Sequence, residues 1–258
     1  MHFFRLLAIN GLCGWTCDVL RENTDNPGSR RFCPECEFGI LHLADSGVNC
    51  RVIALIDYGS GNLRSVQKAL LKVGADVQVV KKPEELAGAR AVVLPGVGAF
   101  DDCVNALQKQ ELLEASRKLI KSGRPFLGIC VGYQALFERS EEFNSCAAGM
   151  GLFKGSVVRF KERPGLKIPQ IGWNQIELAR PDCPLFRGIP EGSFVYFVHS
   201  FFPKPADAGI IATRTTHGET FASAVWRDNV YATQFHPEKS QKVGLQLLAN
   251  FVGLAGKG

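Results

Sequence analysis

One cysteine stands in a setting that suits a nucleophile. Cys130 lies at the centre of Gly128-Ile129-Cys130-Val131-Gly132, between the apolar run Pro125-Phe126-Leu127 and the helix-like Gln134-Ala135-Leu136-Phe137. Glycines two positions away on each side leave room for the sharp strand-to-helix turn of a nucleophile elbow. Such a turn would set the sulfur at a helix N-terminus, where the thiolate is favoured over the thiol. Cys130 is therefore the candidate nucleophile, and a buried core cysteine is the alternative for this motif taken alone.

A second segment supplies the groups that a nucleophilic thiol needs. Phe235-His236-Pro237-Glu238-Lys239-Ser240 directly follows the last predicted strand. A thiol needs a general base nearby, and a histidine base needs a carboxylate that holds its tautomer and orientation. We expect His236 to meet Cys130 at the edge of a sheet, and Glu238, beyond a rigid proline, to reach back to the imidazole.

A glycine loop is the third candidate feature. Pro95-Gly96-Val97-Gly98-Ala99-Phe100 follows a predicted strand over residues 91–94. In an open α/β sheet the ligand crevice lies outside the carboxyl ends of the strands, so this loop and the cysteine turn should face one another there. Backbone amides of the loop could hold a developing oxyanion. The alternative is an ordinary connection between a strand and a helix.

The elements that must position these groups alternate between strands and helices in the first half of the chain. Apolar runs at 52–57 and 76–80 predict buried strands, and residues 63–73 carry a helical apolar stripe. This alternation predicts a parallel sheet with helices on both faces. The loop Gly59-Ser60-Gly61-Asn62 could instead bind a dinucleotide, but it lacks the third glycine of that motif and the lysine of a P-loop.

The second half of the chain has a different pattern. Residues 140–151 are polar or small and predict a loop, and short segments rich in Val, Ile, Phe and Trp follow from Gly155 onward. These predict antiparallel strands and hairpins, closed by an amphipathic helix over 243–251. The predicted fold class is therefore α/β, a mostly parallel open sheet flanked by helices with added antiparallel strands in the second half.

Composition excludes several classes of protein. The formal net charge is +5 and no run of five Lys or Arg occurs, so the sequence gives no indication of nucleic-acid binding. No apolar run approaches the roughly 18 residues of a membrane span. Five of the nine cysteines fall in the first fifty residues. The other four show no disulfide or metal spacing, which favours a reduced, cytoplasmic setting.

Residues 1–50 differ in kind from the rest of the chain. They contain arginine but no lysine and lack sustained helical or strand periodicity. Four cysteines could form a small zinc unit, namely Cys13, Cys17, Cys33 and Cys36. A secretory signal is a weaker alternative, because no small-residue cleavage site follows the apolar stretch. We favour a non-native or disordered N-terminal extension, with an alternative start at Val48 and a domain over residues 51–258.

The three segments together resemble the class I glutamine amidotransferases, whose cysteine, histidine and acid follow in this order along the chain. More narrowly, six segments resemble the glutaminase subunits of imidazole glycerol phosphate synthases: IDYGSGN, LPGVGAF, GICVGYQALF, IPQIGWN, YFVHSFF and QFHPEKSQKVG. The resemblance covers about residues 51–253. It implies a Cys130-His236-Glu238 triad that hydrolyses glutamine to glutamate and ammonia, without a cofactor or metal.

The resemblance also implies a partner. Ammonia would pass to a barrel-shaped cyclase subunit in a heterodimer, which makes imidazole glycerol phosphate and an aminoimidazole carboxamide ribotide in histidine biosynthesis. Two alternatives remain at this point: a paralogue that supplies ammonia to another synthase, such as a sugar amidation enzyme, and a stand-alone thiol hydrolase.

Further residues receive roles only through the resemblance. The oxyanion hole would be formed by backbone groups of Gly96, Val97, Gly98 and Val131. Glutamine would be bound by Gln134, His199 and Ser200. The cyclase would meet Asn62, Trp173 and Lys239.

Overall fold

In the computed structural model the described residues are 52–59 and 62–256, without the side chain of Asn144. The proposed extension over 1–50 and its zinc alternative lie outside them. The helices are α1 Leu63–Lys72, α2 Phe100–Lys109, α3 Leu112–Lys121, α4 Val131–Gln134 and α5 Gln241–Ala255. The strands are β1 Ile53–Ile56, β2 Val77–Val80, β3 Ala91–Gly96, β4 Phe126–Cys130, β5 Phe137–Ser140, β6 Phe153–Arg159, β7 Gln170–Gln175, β8 Glu177–Leu178, β9 Phe194–His199, β10 Phe201–Pro205, β11 Ile211–His217, β12 Glu219–Arg227 and β13 Val230–Thr233.

The largest sheet has eight strands in the order β2-β1-β3-β4-β13-β12-β11-β8. Its first five strands are parallel, and β12, β11 and β8 continue it in antiparallel fashion. Every residue of β1, β3, β4 and β13 is buried. Strands covered by helices on both faces need such continuous apolar sequences, which is why these segments show no polar alternation. The predicted α/β class is confirmed.

Two smaller sheets complete the second half of the chain. One has the order β10-β6-β5 and the other pairs β7 with β9. An aromatic cluster joins them to the large sheet: the Phe160 ring lies 4.7 Å from that of Phe202 and 5.4 Å from that of Phe221, and Phe197 lies 5.8 Å from Phe221. The apolar segment FVYFVHSFF at 194–202, one of the short segments from which strands are predicted, does not form a single strand. It divides at Ser200, because β9 and β10 belong to different sheets.

The helix expected after the cysteine is a single turn. It ends at Gln134, and Phe137 already begins β5, so the expected helical continuation through Phe137 is wrong. The Phe137 side chain is buried between the rings of Tyr133 and Phe153, at centroid distances of 5.6 and 5.7 Å. Burial of that ring and the pairing of β5 with β6 outweigh a local helical preference.

The position of β13 determines the geometry at the centre of the sheet. This strand comes last in the sequence, yet it lies between β4 and β12, parallel to the former and antiparallel to the latter. Thr233 is paired with Ile129, so the chain leaves β13 directly beside Cys130. Helix α5 then packs against the segment Pro237–Lys239, which leads into it.

Glycine at position 244 is required by that packing, which gives a test of the fold. A Cβ at Gly244 would lie 1.8 Å from the carbonyl oxygen of Pro237, whereas one at Gly253 in the same helix would have no neighbour within 4 Å. We expect Gly244→Ala to lower the free energy of unfolding by about 1–3 kcal/mol through overpacking. Gly253→Ala should raise it by about 0.5–1 kcal/mol through helix propensity. Urea unfolding of both variants measures this, and equal stabilities would contradict the packing.

Candidate active site

The cysteine turn is built from close backbone contacts. Cys130 has φ 55° and ψ −110°, a conformation that costs a non-glycine residue about 1–3 kcal/mol. A Cβ at Gly132 would lie 2.0 Å from the carbonyl oxygen of Leu94, and one at Gly128 would lie 2.7 Å from that of Gly132. The sequence prediction of a turn so tight that only small residues fit two positions either side of Cys130 is confirmed. The strained turn places Cys130 at the carboxyl end of β4, in the wall of a cavity.

The structure brings His236 and Glu238 together next to Cys130. His236 Nδ1 lies 2.8 Å from Glu238 Oε1, and both side chains are buried. With Nδ1–H donating to the carboxylate, Nε2 is the nitrogen left for proton transfer. Nε2 is buried and hydrogen-bonds to no described residue. The arrangement therefore presents a base whose tautomer is fixed by the acid.

Charge near His236 controls its protonation. Burial alone would lower the pKa of His236, but the Cys130 thiolate and then the Glu238 carboxylate outweigh burial and raise the pKa to about 10. A buried imidazolium is stable only beside such negative charges. At neutral pH the imidazolium is therefore favoured when the sulfur is a thiolate, and its proton is available to a leaving group.

Glu238 has a second partner that sequence reasoning missed. Asn62 Nδ2 donates to Glu238 Oε1 at 2.6 Å. Asn62 precedes α1 in a left-handed conformation with φ 68°, and it stands 176 positions from Glu238 in the chain. Asn62 was assigned to the partner interface, and the structure adds a direct contact with the acid that holds the imidazole. No local sequence pattern indicates a contact over such a separation.

A cavity of about 430 Å³ opens in front of the cysteine. Val97, Gly98 and Val131 line it together with Cys130 and His236. Gly96 is not one of the lining residues, since it ends β3 and is paired with Cys130 in the sheet. Gly98 has φ +92°, a backbone conformation that glycine adopts without strain.

The residues assigned to glutamine binding lie in the wall of this cavity. Gln134, His199 and Ser200 all line it. The His199 ring is buried, with Nδ1 2.9 Å from the Phe201 carbonyl oxygen and Nε2 3.0 Å from Gln170 Oε1. A neutral imidazole carries one N–H, so Nδ1–H donates to the Phe201 carbonyl and Nε2 accepts from Gln170 with that amide turned to present its NH₂ group. Both ring nitrogens are then engaged within the protein. Burial lowers the pKa of His199 to about 3, against the opposing effect of the Phe201 carbonyl, so this ring is neutral.

Two lining or adjacent residues were missed by sequence reasoning. Glu142 lines the cavity, and its carboxylate accepts a hydrogen bond from the Phe100 amide at 2.8 Å. Burial raises its pKa. Gln234 is fully buried, and its Nε2 lies 3.6 Å from Cys130 Sγ. Gln234 stands two positions before His236, in the same motif, but an amide at that position carries no signal of its own.

Two of the residues assigned to the interface, Trp173 and Lys239, meet at the ring of Tyr196. Trp173 is 45% exposed and Ile171 and Phe194 are 64% and 53% exposed, all on one face of the β7–β9 pair. The Trp173 ring lies edge-on to Tyr196 at 5.9 Å, and the Lys239 ammonium lies 5.7 Å above the same tyrosine. Lys239 also lines the cavity. An exposed apolar patch of this kind is typical of a docking surface.

The other described thiols are poorly suited to chemistry. Burial raises the pKa of Cys103 to about 12 and that of Cys183 to about 11. Cys146 is exposed and does not line the cavity. A larger groove of about 960 Å³ near α3 contains no cysteine or histidine, and its arginines Arg117 and Arg124 bind backbone carbonyls. The smaller cavity is therefore the candidate active site.

Comparison with known proteins identifies relatives by sequence. The family described as glutamine amidotransferase class-I matches residues 54–254. The imidazole glycerol phosphate synthase subunit HisH of Syntrophotalea carbinolica is 51% identical over 205 residues, which cover 78% of this chain and 98% of that protein. HisH of Thermosynechococcus vestitus is also 51% identical, over 203 residues that cover 78% of this chain and 96% of that protein.

Solved structures show the same fold. PurLQS from Thermotoga maritima superposes with a TM-score of 0.63 at 20% identity, over 78% of this chain and 97% of that one. A crystal structure described as a glutamine amidotransferase gives a TM-score of 0.61 at 21% identity, over 79% of this chain and 98% of that one.

The neutral His199 predicts a pH dependence of stability. Its pKa falls from about 6.5 to about 3 on folding, so the unfolded chain binds more protons between these values and stability decreases as the pH falls. Between pH 7 and pH 4.5 the low pKa of His199 should lower the free energy of unfolding by about 3 kcal/mol. We expect His199→Gln to be less stable than the wild type at pH 7. Its free energy of unfolding should fall less than that of the wild type between pH 7 and pH 4.5, as measured by urea unfolding at both pH values.

The matched control is His217→Gln, which replaces a histidine that is only half-buried. It should retain the acid sensitivity of the wild type. A His199→Gln variant with unchanged acid sensitivity would show that this ring is protonated in the folded protein.

Proposed function

Because this chain belongs to the class-I glutamine amidotransferase family, we propose that it is the glutaminase subunit of an imidazole glycerol phosphate synthase. The observation that carries the proposal is the Cys130-His236-Glu238 arrangement beside a cavity, in a chain that aligns with 98% of a HisH subunit. The family match over residues 54–254 supports residues 51–258 as the amidotransferase domain. A free nucleophilic thiol fits a cytoplasmic site of action.

The geometry suits a two-step hydrolysis. The Cys130 thiolate attacks the side-chain amide carbon of glutamine, and the His236 imidazolium gives its Nε2 proton to the departing nitrogen, which leaves as ammonia. The product of this step is a γ-glutamyl thioester. Neutral His236 then takes a proton from water, which attacks the thioester and releases glutamate and the thiolate. Glu238 keeps the imidazole in the required tautomer throughout.

Charge in the cavity is matched to the two charged groups on the α-carbon of glutamine. Of the described residues that line the cavity, Glu142 is the one carboxylate and Lys239 the one ammonium. We assign Glu142 to the α-ammonium of glutamine and Lys239 to its α-carboxylate. Gln134 and Ser200 line the same cavity, where they can contact the substrate, and the backbone at His199 contributes in place of its engaged ring. The amide of Val131 and amides of the 96–98 loop would stabilise the oxyanion.

Ammonia must reach a second active site, because in bulk water it would be protonated and lose its nucleophilicity. The exposed apolar face consists of Ile171, Trp173 and Phe194. Its Trp173 ring contacts Tyr196, which also contacts the cavity-lining Lys239. We assign this face, with Asn62, to the surface that binds a barrel-shaped cyclase in a heterodimer. The near full-length match to HisH subunits favours this function over a stand-alone thiol hydrolase or a glutaminase for another synthase.

Substitution of the triad tests the chemistry. Cys130→Ala and His236→Ala should each reduce kcat for glutamine hydrolysis by more than about 1,000-fold, since nucleophile and base act as one unit. Glu238→Ala should retain more activity, because it removes only the orienting group. Glutamate release measured with the cyclase present gives these values. Cys146→Ser is the matched control and should hydrolyse glutamine like the wild type.

Labelling provides a second measurement on the same residues. A glutamine-analogue electrophile should modify Cys130, and peptide mass spectrometry locates the label. Label at Cys103, Cys146 or Cys183 in place of Cys130 would overturn the assignment of the nucleophile.

Activity should depend on the partner. The Pro95–Gly98 segment can hold its amides toward the oxyanion position or away from it, because Gly98 permits both backbone conformations. Cyclase binding, and then binding of its nucleotide substrate, would stabilise the inward state, and one missing donor costs about 100- to 1,000-fold in rate. We expect glutamate release to be slow for the isolated glutaminase chain, faster with cyclase, and fastest with cyclase and nucleotide. Full activity of the isolated chain would contradict this.

A further inference from the structure

A buried amide lies against the sulfur of Cys130, and the triad chemistry does not account for it. Gln234 follows Thr233, which is paired with Ile129, so the parallel register brings residue 234 next to residue 130. Gln234 has no exposed surface, and its Nε2 donates toward Cys130 Sγ at 3.6 Å. Sulfur is large, and this separation falls within the range of an N–H···S hydrogen bond. The contact is therefore a consequence of the strand order.

The direction of this amide is fixed by a second buried glutamine. Gln134 Nε2 donates to Gln234 Oε1 at 3.2 Å and to the Phe201 carbonyl at 3.1 Å. An amide whose oxygen accepts from one side must turn its NH₂ group to the other. The bond from Gln134 thus leaves the N–H groups of Gln234 facing the sulfur. A buried amide held in this way is not free to rotate and present its oxygen to a negative charge.

The site needs such a donor because the helix after Cys130 is short. Helix α4 contains four residues, so few peptide dipoles are aligned behind the sulfur. Cys130 is only 4% exposed, which removes most of the water that would otherwise solvate a thiolate. Hydrogen bonds to a charged acceptor are stronger than those to a neutral one, so an N–H donor stabilises the thiolate more than the thiol.

We propose that Gln234 is a catalytic residue of this site, whose side-chain N–H donates to the Cys130 thiolate and stabilises it. The inference rests on the proposed function only in taking Cys130 as the nucleophile. Before attack, the bond increases the fraction of thiolate. In the second step the carbon–sulfur bond of the thioester breaks and the electron pair returns to sulfur, where the same N–H receives the developing charge. Gln134 is a positioning residue, which acts through Gln234.

The test follows the alkylation of Cys130 by iodoacetamide as a function of pH, in the full chain without glutamine. The variant is Gln234→Met, which keeps the length of the side chain and removes the donor. We expect the midpoint of the Cys130 rate profile to move up by about one pH unit, with about ten-fold slower alkylation below the midpoint. The limiting rate at high pH should be unchanged. Peptide mass spectrometry separates Cys130 from the other cysteines.

Two internal comparisons distinguish a donor from a merely structural residue. Cys146 is exposed and its alkylation profile should be identical in both proteins. Thr215→Val replaces a buried hydroxyl on β11 that has no hydrogen-bond partner among the described residues, and it should leave the Cys130 profile unchanged. A rate lowered equally at all pH values would mean that Gln234 only shapes access to the sulfur, and would overturn the proposal. An unmoved profile would do the same.

A second variant covers failure of the first to fold. Gln134→Met leaves Gln234 in place but frees its amide to rotate, so the midpoint should rise by a smaller amount in the same direction. No shift in a folded Gln134→Met chain would overturn the proposal. A different measurement tests the proposed function. If that function is wrong, Cys130→Ala will retain glutaminase activity, whatever the alkylation profiles show.

Discussion

The backbone contact between the cysteine turn and the end of β3 determines the position of every other group in the site. Gly132 lies so close to the Leu94 carbonyl that even a methyl group would overlap it. That approach holds Cys130 in its strained conformation and places Gly96 beside it. The loop that follows Gly96, the base that follows β13 and the amide of Gln234 then reach the sulfur from neighbouring strands. Local strain is retained because the packed sheet over-determines it.

Electrostatics in this site depends on groups that are fixed before substrate arrives. A thiolate and an imidazolium in a buried setting lose hydration and need compensation from their neighbours. Glu238 compensates the imidazolium, and Asn62 in turn donates to Glu238. On the other side, Gln134 orients Gln234 toward the sulfur. Neutral amides thus hold both charged partners in place, and their fixed dipoles need little reorganisation during the reaction.

The features that local chemistry encodes could be predicted from the sequence. Glycine spacing around Cys130, buried strand patterns and the His236-Pro237-Glu238 segment all depend on residues near one another in the chain, and the α/β fold followed from them. The features that depend on tertiary contacts could not be predicted in this way. Burial of the Phe137 ring ended the helix after one turn, and sheet membership divided the segment at Ser200. The Asn62–Glu238 and Gln234–Cys130 contacts join distant parts of the chain, so no local sequence pattern predicts them.

The late position of β13 in the sequence has a consequence for synthesis on the ribosome. The strands β1 to β4 and the cysteine emerge about a hundred residues before the strand that must lie beside β4. Until β13 arrives, the growing chain carries a buried-type strand with an unpaired edge, which is the kind of surface that draws chains into aggregates. The same delay keeps the thiol without its base until translation is nearly complete. A nascent or truncated chain that lacks β13 would therefore depend on chaperones, and it would not hydrolyse glutamine.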